Sequence, residues 1–236
     1  ERSLPDALDE SGTSRTAAGE NHATFWYKGA ILDLGTLGGS VAGAFGLNDR
    51  GQVVGLSSLV PSGADATLWE RGSARDLGAF GGIQSQAVDI NDPGQVVGFY
   101  VTDAGKMHAF LWDHGTGTDL GTLGGDSAQA LAINNRGQVV GRSRTAAGDF
   151  HAFLWEDGVM IDLGTLGGAG SGAGGISDSF PSGVPSSTHR CNVWISGSLR
   201  RRALSNSSEP SVGSHGGMKR LCVTCTICRA CRRTSS

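Results

Sequence analysis

The sequence predicts an all-β fold, a propeller-like array of four-stranded repeats, and three observations carry that prediction. One pattern recurs every 43 residues without insertion, 39 of the 236 residues are glycine, and short β-branched and aromatic runs alternate with Gly, Asn and Asp turn signals. Glycine in a helix interior costs about 1 kcal/mol relative to alanine, so this density argues against helices. The glycines do not recur every third residue, which excludes collagen. No run approaches the ~18 apolar residues of a membrane-spanning helix.

The repeat is defined by linked motifs. Asp-Leu-Gly-x-Leu/Phe-Gly-Gly starts at Asp33, Asp76, Asp119 and Asp162. Asn48, Asn91 and Asn134 follow the first three, and Gly-Gln-Val-Val-Gly occupies 51–55, 94–98 and 137–141. Trp26, Trp69, Trp112 and Trp155 keep the same step. Full units therefore span 33–75, 76–118 and 119–161, and partial units extend the array to 12–179, about 3.9 periods. Residues 1–11 stay unassigned. Ser177-Asp178 is a fair match to the next Asn position, but Phe180 stands where Gly is expected, so the repeat is read as ending there. Trp194 is off register.

The third unit shows the elements. Ala128–Asn134 alternates small apolar and polar residues as a strand, and Asn135-Arg136-Gly137 supplies a turn with Gly where a positive φ is needed. Gln138–Gly141 continues as a β-branched strand, and a polar loop runs from Thr145 to Gly148. His151–Trp155 is the third strand, Glu156-Asp157-Gly158 a tight turn, and Val159–Leu163 the fourth strand. Four strands in about 43 residues is the size of a propeller blade. A lone sheet of this kind cannot bury its faces, so the Trp, Phe/Leu and Val columns are expected between stacked sheets. A parallel solenoid fits less well, because tight hairpin turns imply antiparallel neighbours. The two partial units either compose one shared blade in a four-blade ring or belong to a longer array; the larger blade numbers usual in propellers favour the second.

The motifs A-x-x-I-N-x-x-G-Q-V-V-G, H-A-F-L-W and D-L-G-T-L-G-G resemble the HAF family of extracellular repeat proteins. His108-Ala109-Phe110 and His151-Ala152-Phe153 carry the name; His22-Ala23-Thr24 is a near match and Asp65-Ala66-Thr67 departs further. The resemblance covers roughly 12–179 and implies an exported, propeller-like bacterial protein without assigned catalytic residues. Its expected location is extracellular or the cell envelope, although Glu1–Asp6 shows no secretory leader.

Composition divides the chain. Residues 1–175 hold 10 Lys/Arg and 20 Asp/Glu, and no cysteine; residues 176–236 hold 9 Lys/Arg, 2 Asp/Glu and all five cysteines. The Ser/Arg/Cys-rich tail, 180–236, departs from the family pattern and reads as a disordered segment or a frameshifted reading frame. Cys222, Cys225, Cys228 and Cys231 are spaced by two residues, which resembles the start of an iron–sulfur run, but that run has three residues before its last Cys and Pro after it. Zinc thiolate pairs are normally separated by a folded loop, so neither metal is assigned.

The remaining candidates have structural readings beside functional ones. The His column (His22, His108, His151, with Asp65 in the remaining unit) suits a metal or anion, or strand-start histidines bonded to backbone or a neighbouring blade. The Asp column (Asp33, Asp76, Asp119, Asp162) suits acid–base pairs, or turn residues bonded to backbone amides. Asp89-x-Asn91-x-Pro93-Gly94 resembles a calcium loop, but Pro93 displaces a needed oxygen ligand and a hairpin turn explains it. The Trp column suits sugar stacking or inter-sheet packing. No nucleophile elbow, phosphate loop or His-Glu-x-x-His occurs, and the Arg-rich tail lacks the interleaved aromatics of a nucleic-acid binder. The sequence therefore predicts a non-catalytic binding or scaffold module for a protein or glycan ligand, with no catalytic, cofactor or metal residue assigned, no nucleic acid and no membrane span. One alternative is a propeller-scaffold hydrolase or lyase acting on polysaccharide. It requires one unit that breaks the pattern with clustered carboxylates, His or Tyr, and the three full units are read as lacking it. A second alternative is a tail-borne iron–sulfur or zinc site.

Overall fold

A computed structural model describes residues 10–60, 63–178 and 193–196. They form seventeen strands and no helix. The first sheet has three strands, β1 (Glu10–Arg15), β2 (Asn21–Tyr27) and β3 (Ala30–Gly35). Three four-stranded meanders follow. The second sheet is β4 (Ala42–Leu47), β5 (Val53–Ser58), β6 (Ala64–Glu70) and β7 (Ser73–Asp76). The third is β8 (Gln84–Ile90), β9 (Val96–Val101), β10 (Met107–Asp113) and β11 (Thr116–Asp119). The fourth is β12 (Gly124–Ile133), β13 (Val139–Thr145), β14 (Phe150–Glu156) and β15 (Val159–Asp162). β16 (Gly172–Ile176) and β17 (Val193–Ser196) make a two-stranded fifth sheet. All ladders are antiparallel, as the hairpin turns require.

Each sheet has two apolar faces because adjacent residues of a strand point to opposite sides. In Val53-Val54, the first side chain joins a core with Ala23 of the first sheet and the second a core with Phe110 and Trp112 of the third. Val96-Val97 and Val139-Val140 divide their contacts in the same way. Three of the Trp column pack between sheets: Trp69 and Trp112 are buried, and Trp155 lies against the core that holds Phe153, while Trp26 in the first sheet is half-buried. Trp69 is held by packing alone, since its buried indole N–H has no acceptor among the described residues.

Two kinds of glycine make the stack possible. In the tight turn between the third and fourth strands, Asp157 and Gly158 both have positive φ (50° and 83°), as the hairpin twist demands. Gly98, by contrast, is required for space: a Cβ there would collide with the carbonyl of Gln86 on the adjoining strand.

One further strand pair is described past the last sequence match. β17 pairs with β16 as β13 pairs with β12, but the partner of Ile176 is Val193, whereas the partner of Ile133 is Val139. A longer connection carries Trp194, off register in sequence, into the pairing opposite Gly175. Among the described residues the partial units do not share a sheet: β1 pairs with β2, and β16 with β17. Cys222, Cys225, Cys228 and Cys231 lie outside the described residues, as do Leu199–Arg202.

Candidate functional site

The first and second strands of each unit meet at one end of the stack, and there the Asn-x-x-Gly-Gln motif makes a ladder. Asn48 Oδ1 accepts hydrogen bonds from the backbone N–H of Arg50 (3.1 Å) and Gln52 (3.0 Å), which folds its own turn. Its Nδ2 donates to Gln52 Oε1 (2.8 Å) and, one period away, to the carbonyl of Asn91 (2.9 Å). Asn91 repeats this toward the carbonyl of Asn134 (3.0 Å), and Asn134 toward that of Ser177 (3.4 Å). Pro93 has no N–H to offer, so Asn91 takes its turn bond from Gly94 instead (3.1 Å). Each Gln then donates outward, to Glu70, Asp113 and Glu156 respectively.

A second staple uses the next residue of the motif. The N–H of Asp49 donates to Asp92 Oδ1 (3.0 Å), that of Asp92 to Asn135 Oδ1 (2.8 Å), and that of Asn135 to Asp178 Oδ1 (2.6 Å). These residues line an open recess of about 220 Å³ together with Leu47, Ile90, Ile133 and Ile176. The calcium-loop resemblance around Asp89 dissolves here. Asp89 is instead a bulge residue whose carboxylate accepts from the N–H of Ile90 and, across the sheets, of Ile133 (both 2.9 Å).

The opposite end of each sheet holds the His and Asp columns. His22 Nδ1 lies 2.8 Å from both carboxylate oxygens of Asp33; His108 and Asp119, and His151 and Asp162, pair at 3.0 and 2.9 Å. Among the described residues the histidines thus bond a carboxylate of their own sheet, where the sequence reading expected backbone or a neighbouring blade. The Asp column does bond backbone amides, at Gly35, Gly78, Gly121 and Gly164. The Gly35 N–H, with His22 beside it, holds Asp33 below the usual carboxylate range.

Two units break this pattern. In the second sheet Asp65 stands where the others carry His, and it is only 8 % exposed. Burial, with the Asp76 charge as a second cause, pushes its carboxyl up. In the third sheet Tyr100 stands where Ser57 and Ser143 stand elsewhere, and its hydroxyl donates to Asp119 Oδ2 (2.7 Å), the oxygen that His108 also reaches. A Tyr–Asp–His cluster is therefore present in one full unit, which corrects the reading that none breaks the pattern. Burial and the Asp119 carboxylate push the Tyr100 phenol up to about 12. Burial raises Asp119, but His108, the Gly121 N–H and Tyr100 outweigh it and keep the carboxyl low. Phe80 completes the cluster, stacked on Phe110 at 3.9 Å. Sequence inspection missed this because Tyr100 and Asp119 are 19 residues apart and only the strand register brings them together. The available signal was the paired departure of Phe80 and Tyr100 from the Leu and Ser of other units.

Among the described residues no group of three or more His, Cys, Asp or Glu is placed to hold a metal ion. No helix among them is long and apolar enough to cross a membrane.

No protein-family model matches the chain, and no curated protein matches it. Among solved structures it is similar to TolB from Acinetobacter baumannii, with a TM-score of 0.51 and 12% identity over 81% of this chain and 49% of that one. The chain thus spans about half the length of that protein. At this identity the likeness concerns the fold, and it agrees with a stack of repeated antiparallel sheets.

Proposed function

We propose that the protein is a non-catalytic binding or scaffold module of the cell envelope or extracellular space, which engages a protein or glycan through the ends of its stacked sheets. One observation carries this reading: the repeated Asn, Gln, His and Asp side chains bond to one another and to backbone, so they build the array instead of waiting for a substrate. The connecting loops are the solvent-facing parts, and binding residues usually lie on loops held by a rigid scaffold. The recess rim of Asp49, Asp92, Asn135 and Asp178 suits a cationic or hydroxyl-rich group. The location follows from the HAF-like motifs, and the cysteine-free repeats are compatible with it.

The polysaccharide hydrolase or lyase reading gains one observation, the Tyr100–Asp119–His108 cluster. Its chemistry favours structure over catalysis. A phenol ionising near 12 keeps its proton at neutral pH and serves as a donor, and Asp119 already accepts from three partners. The test is calorimetry of the purified chain against neutral, acidic and amino-bearing polysaccharides, with reducing-end release measured in parallel. Saturable binding weakened by Asp92→Asn is expected. Release of reducing ends that disappears in Tyr100→Phe would overturn the reading.

A further inference from the structure

Cations are scarce in the repeats and unevenly placed. Residues 1–175 hold 10 Lys/Arg against 20 Asp/Glu. Three of those ten, Lys106, Arg142 and Arg144, meet at one corner of the end that carries the His and Asp columns. Arg142 and Arg144 stand two residues apart on β13, and both guanidiniums lie against the Phe150 ring on β14, 5.2 and 4.9 Å from its centroid. Each is also held at its Nε. Arg142 Nε donates to Oε1 of the buried Gln129 (2.7 Å). Arg144 Nε faces Asp126 Oδ1 (3.8 Å), and the other oxygen of Asp126 pairs with Lys106 Nζ (2.5 Å). The ring and the Nε partner together fix both guanidinium planes. Neither uses the terminal Nη groups, which carry no hydrogen bond among the described residues. Arg142 is exposed, and 44% of the Arg144 side chain is open to solvent.

This arrangement belongs to one unit. At the positions of Arg142, Arg144 and Phe150 the second sheet has Leu56, Ser58 and Ala64, and the third has Phe99, Val101 and Met107. The first has Thr13, Arg15 and Asn21. Those sheets keep the same strand pairing, so the stacked arginines are not part of what the scaffold repeats.

We propose that this corner binds an acidic polysaccharide, with the Nη groups of Arg142 and Arg144 donating to the carboxylate of a uronate residue. The inference rests on the binding-module reading and names its ligand class. A planar guanidinium matches a carboxylate with two donors, and one already fixed by stacking loses less freedom on binding. The surrounding charge selects the ligand. Asp126, together with Asp149 next to Phe150 in the chain, sets carboxylate acceptors beside the guanidinium donors. A sugar acid fits both: its carboxylate takes the arginines and its ring hydroxyls donate to the aspartates. A dense polyanion is repelled by the acidic surplus of the repeats, and an acidic peptide brings carboxylates with few hydroxyls.

The test is titration calorimetry of the full chain with tetramers of galacturonate, glucuronate and mannuronate, with their methyl esters and with tetraglutamate. Saturable binding of at least one acid tetramer is expected, lost in its ester and weakened by added salt. Arg142→Lys, which keeps the charge but not the planar fork, and Arg144→Gln should each weaken binding at least about tenfold. Arg71→Gln, on a turn at the opposite end, should leave it unchanged. Four results would overturn the inference: no acid tetramer binds, ester and acid bind alike, tetraglutamate binds more tightly, or both arginine variants bind as the parent does. Should those variants fail to fold, the contrast between acid and ester on the unmodified chain decides. Neutral polysaccharide binding that persists without uronate binding sinks this inference alone, whereas reducing-end release that disappears in Tyr100→Phe sinks the module reading beneath it.

Discussion

The second sheet brings Asp65 toward Asp76 at its loop end, with Ser57 and Leu37 alongside; at the same place the third sheet brings His108 to Asp119, with Tyr100 and Phe80 alongside. Backbone and register are the same in both. The difference is how each satisfies its polar groups and fills its volume. The second sheet uses small hydroxyls and accepts a costly buried carboxyl. The third uses aromatic mass and an imidazole, and it leaves Gly117 bare so that Phe80 can lie across it. A shared scaffold therefore tolerates different chemistry at one end while its other end keeps the bond from each Asn to the carbonyl one period on.

The largest effect that separates the two sheets is expected from Phe80. Phe80→Ala removes the ring stacked on Phe110 and should destabilise by about 3 kcal/mol in denaturant unfolding, whereas Leu37→Ala should cost about 1 to 2. Equal losses would mean that the third sheet is not specially packed. Gly117→Ala comes next. A Cβ there lies 2.5 Å from the Phe80 ring, so overpacking should cost about 1 to 3 kcal/mol. Gly117→Ala in a Phe80→Ala background should be nearly neutral, which sharpens the coupling. Tyr100→Phe should cost about 1 kcal/mol by deleting the bond to Asp119. It should also remove a phenolate transition near 12 from an ultraviolet titration.

The smallest effect concerns Asp65. Its carboxyl is raised in the folded state, so the fold binds its proton more tightly than the unfolded chain does. That contribution to stability is present at low pH and is lost as pH rises above the ordinary carboxylate range. Asp65→His replaces the like-charge neighbour of Asp76 with the pairing used in the other units. It should gain about 0.5 kcal/mol near neutral pH and reverse this unit's acid-side trend. Unfolding midpoints across acidic to neutral pH test this; a variant less stable than the parent at neutral pH would break the comparison.

Most of the fold was legible because period and pattern are local properties. The hairpin turns, the Trp packing and the amide-bonding role of Asp33, Asp76, Asp119 and Asp162 follow from residues close in sequence. The partners of His22, His108 and His151 did not, since each lies on the next strand and depends on register. Asn48, Asn91 and Asn134 were visible as a column, but the bond from each to the following unit spans a full period, and nothing local announces it. β17 was hidden for a similar reason: its spacing departs from the repeat, and pairing rather than pattern defines it.

The ladder of Asn48, Asn91 and Asn134 also bears on how such a chain changes length. Every donor finds its acceptor one whole unit ahead, so copying or deleting a complete unit leaves each junction chemically the same. Gain or loss of a residue within a strand or within the Asn-x-x-Gly-Gln turn shifts the register that places a rung and breaks it. Growth by tandem duplication is thus cheap for this architecture and a register slip is not, in agreement with a spacing of 43 held without drift from Asp33 to Asp162.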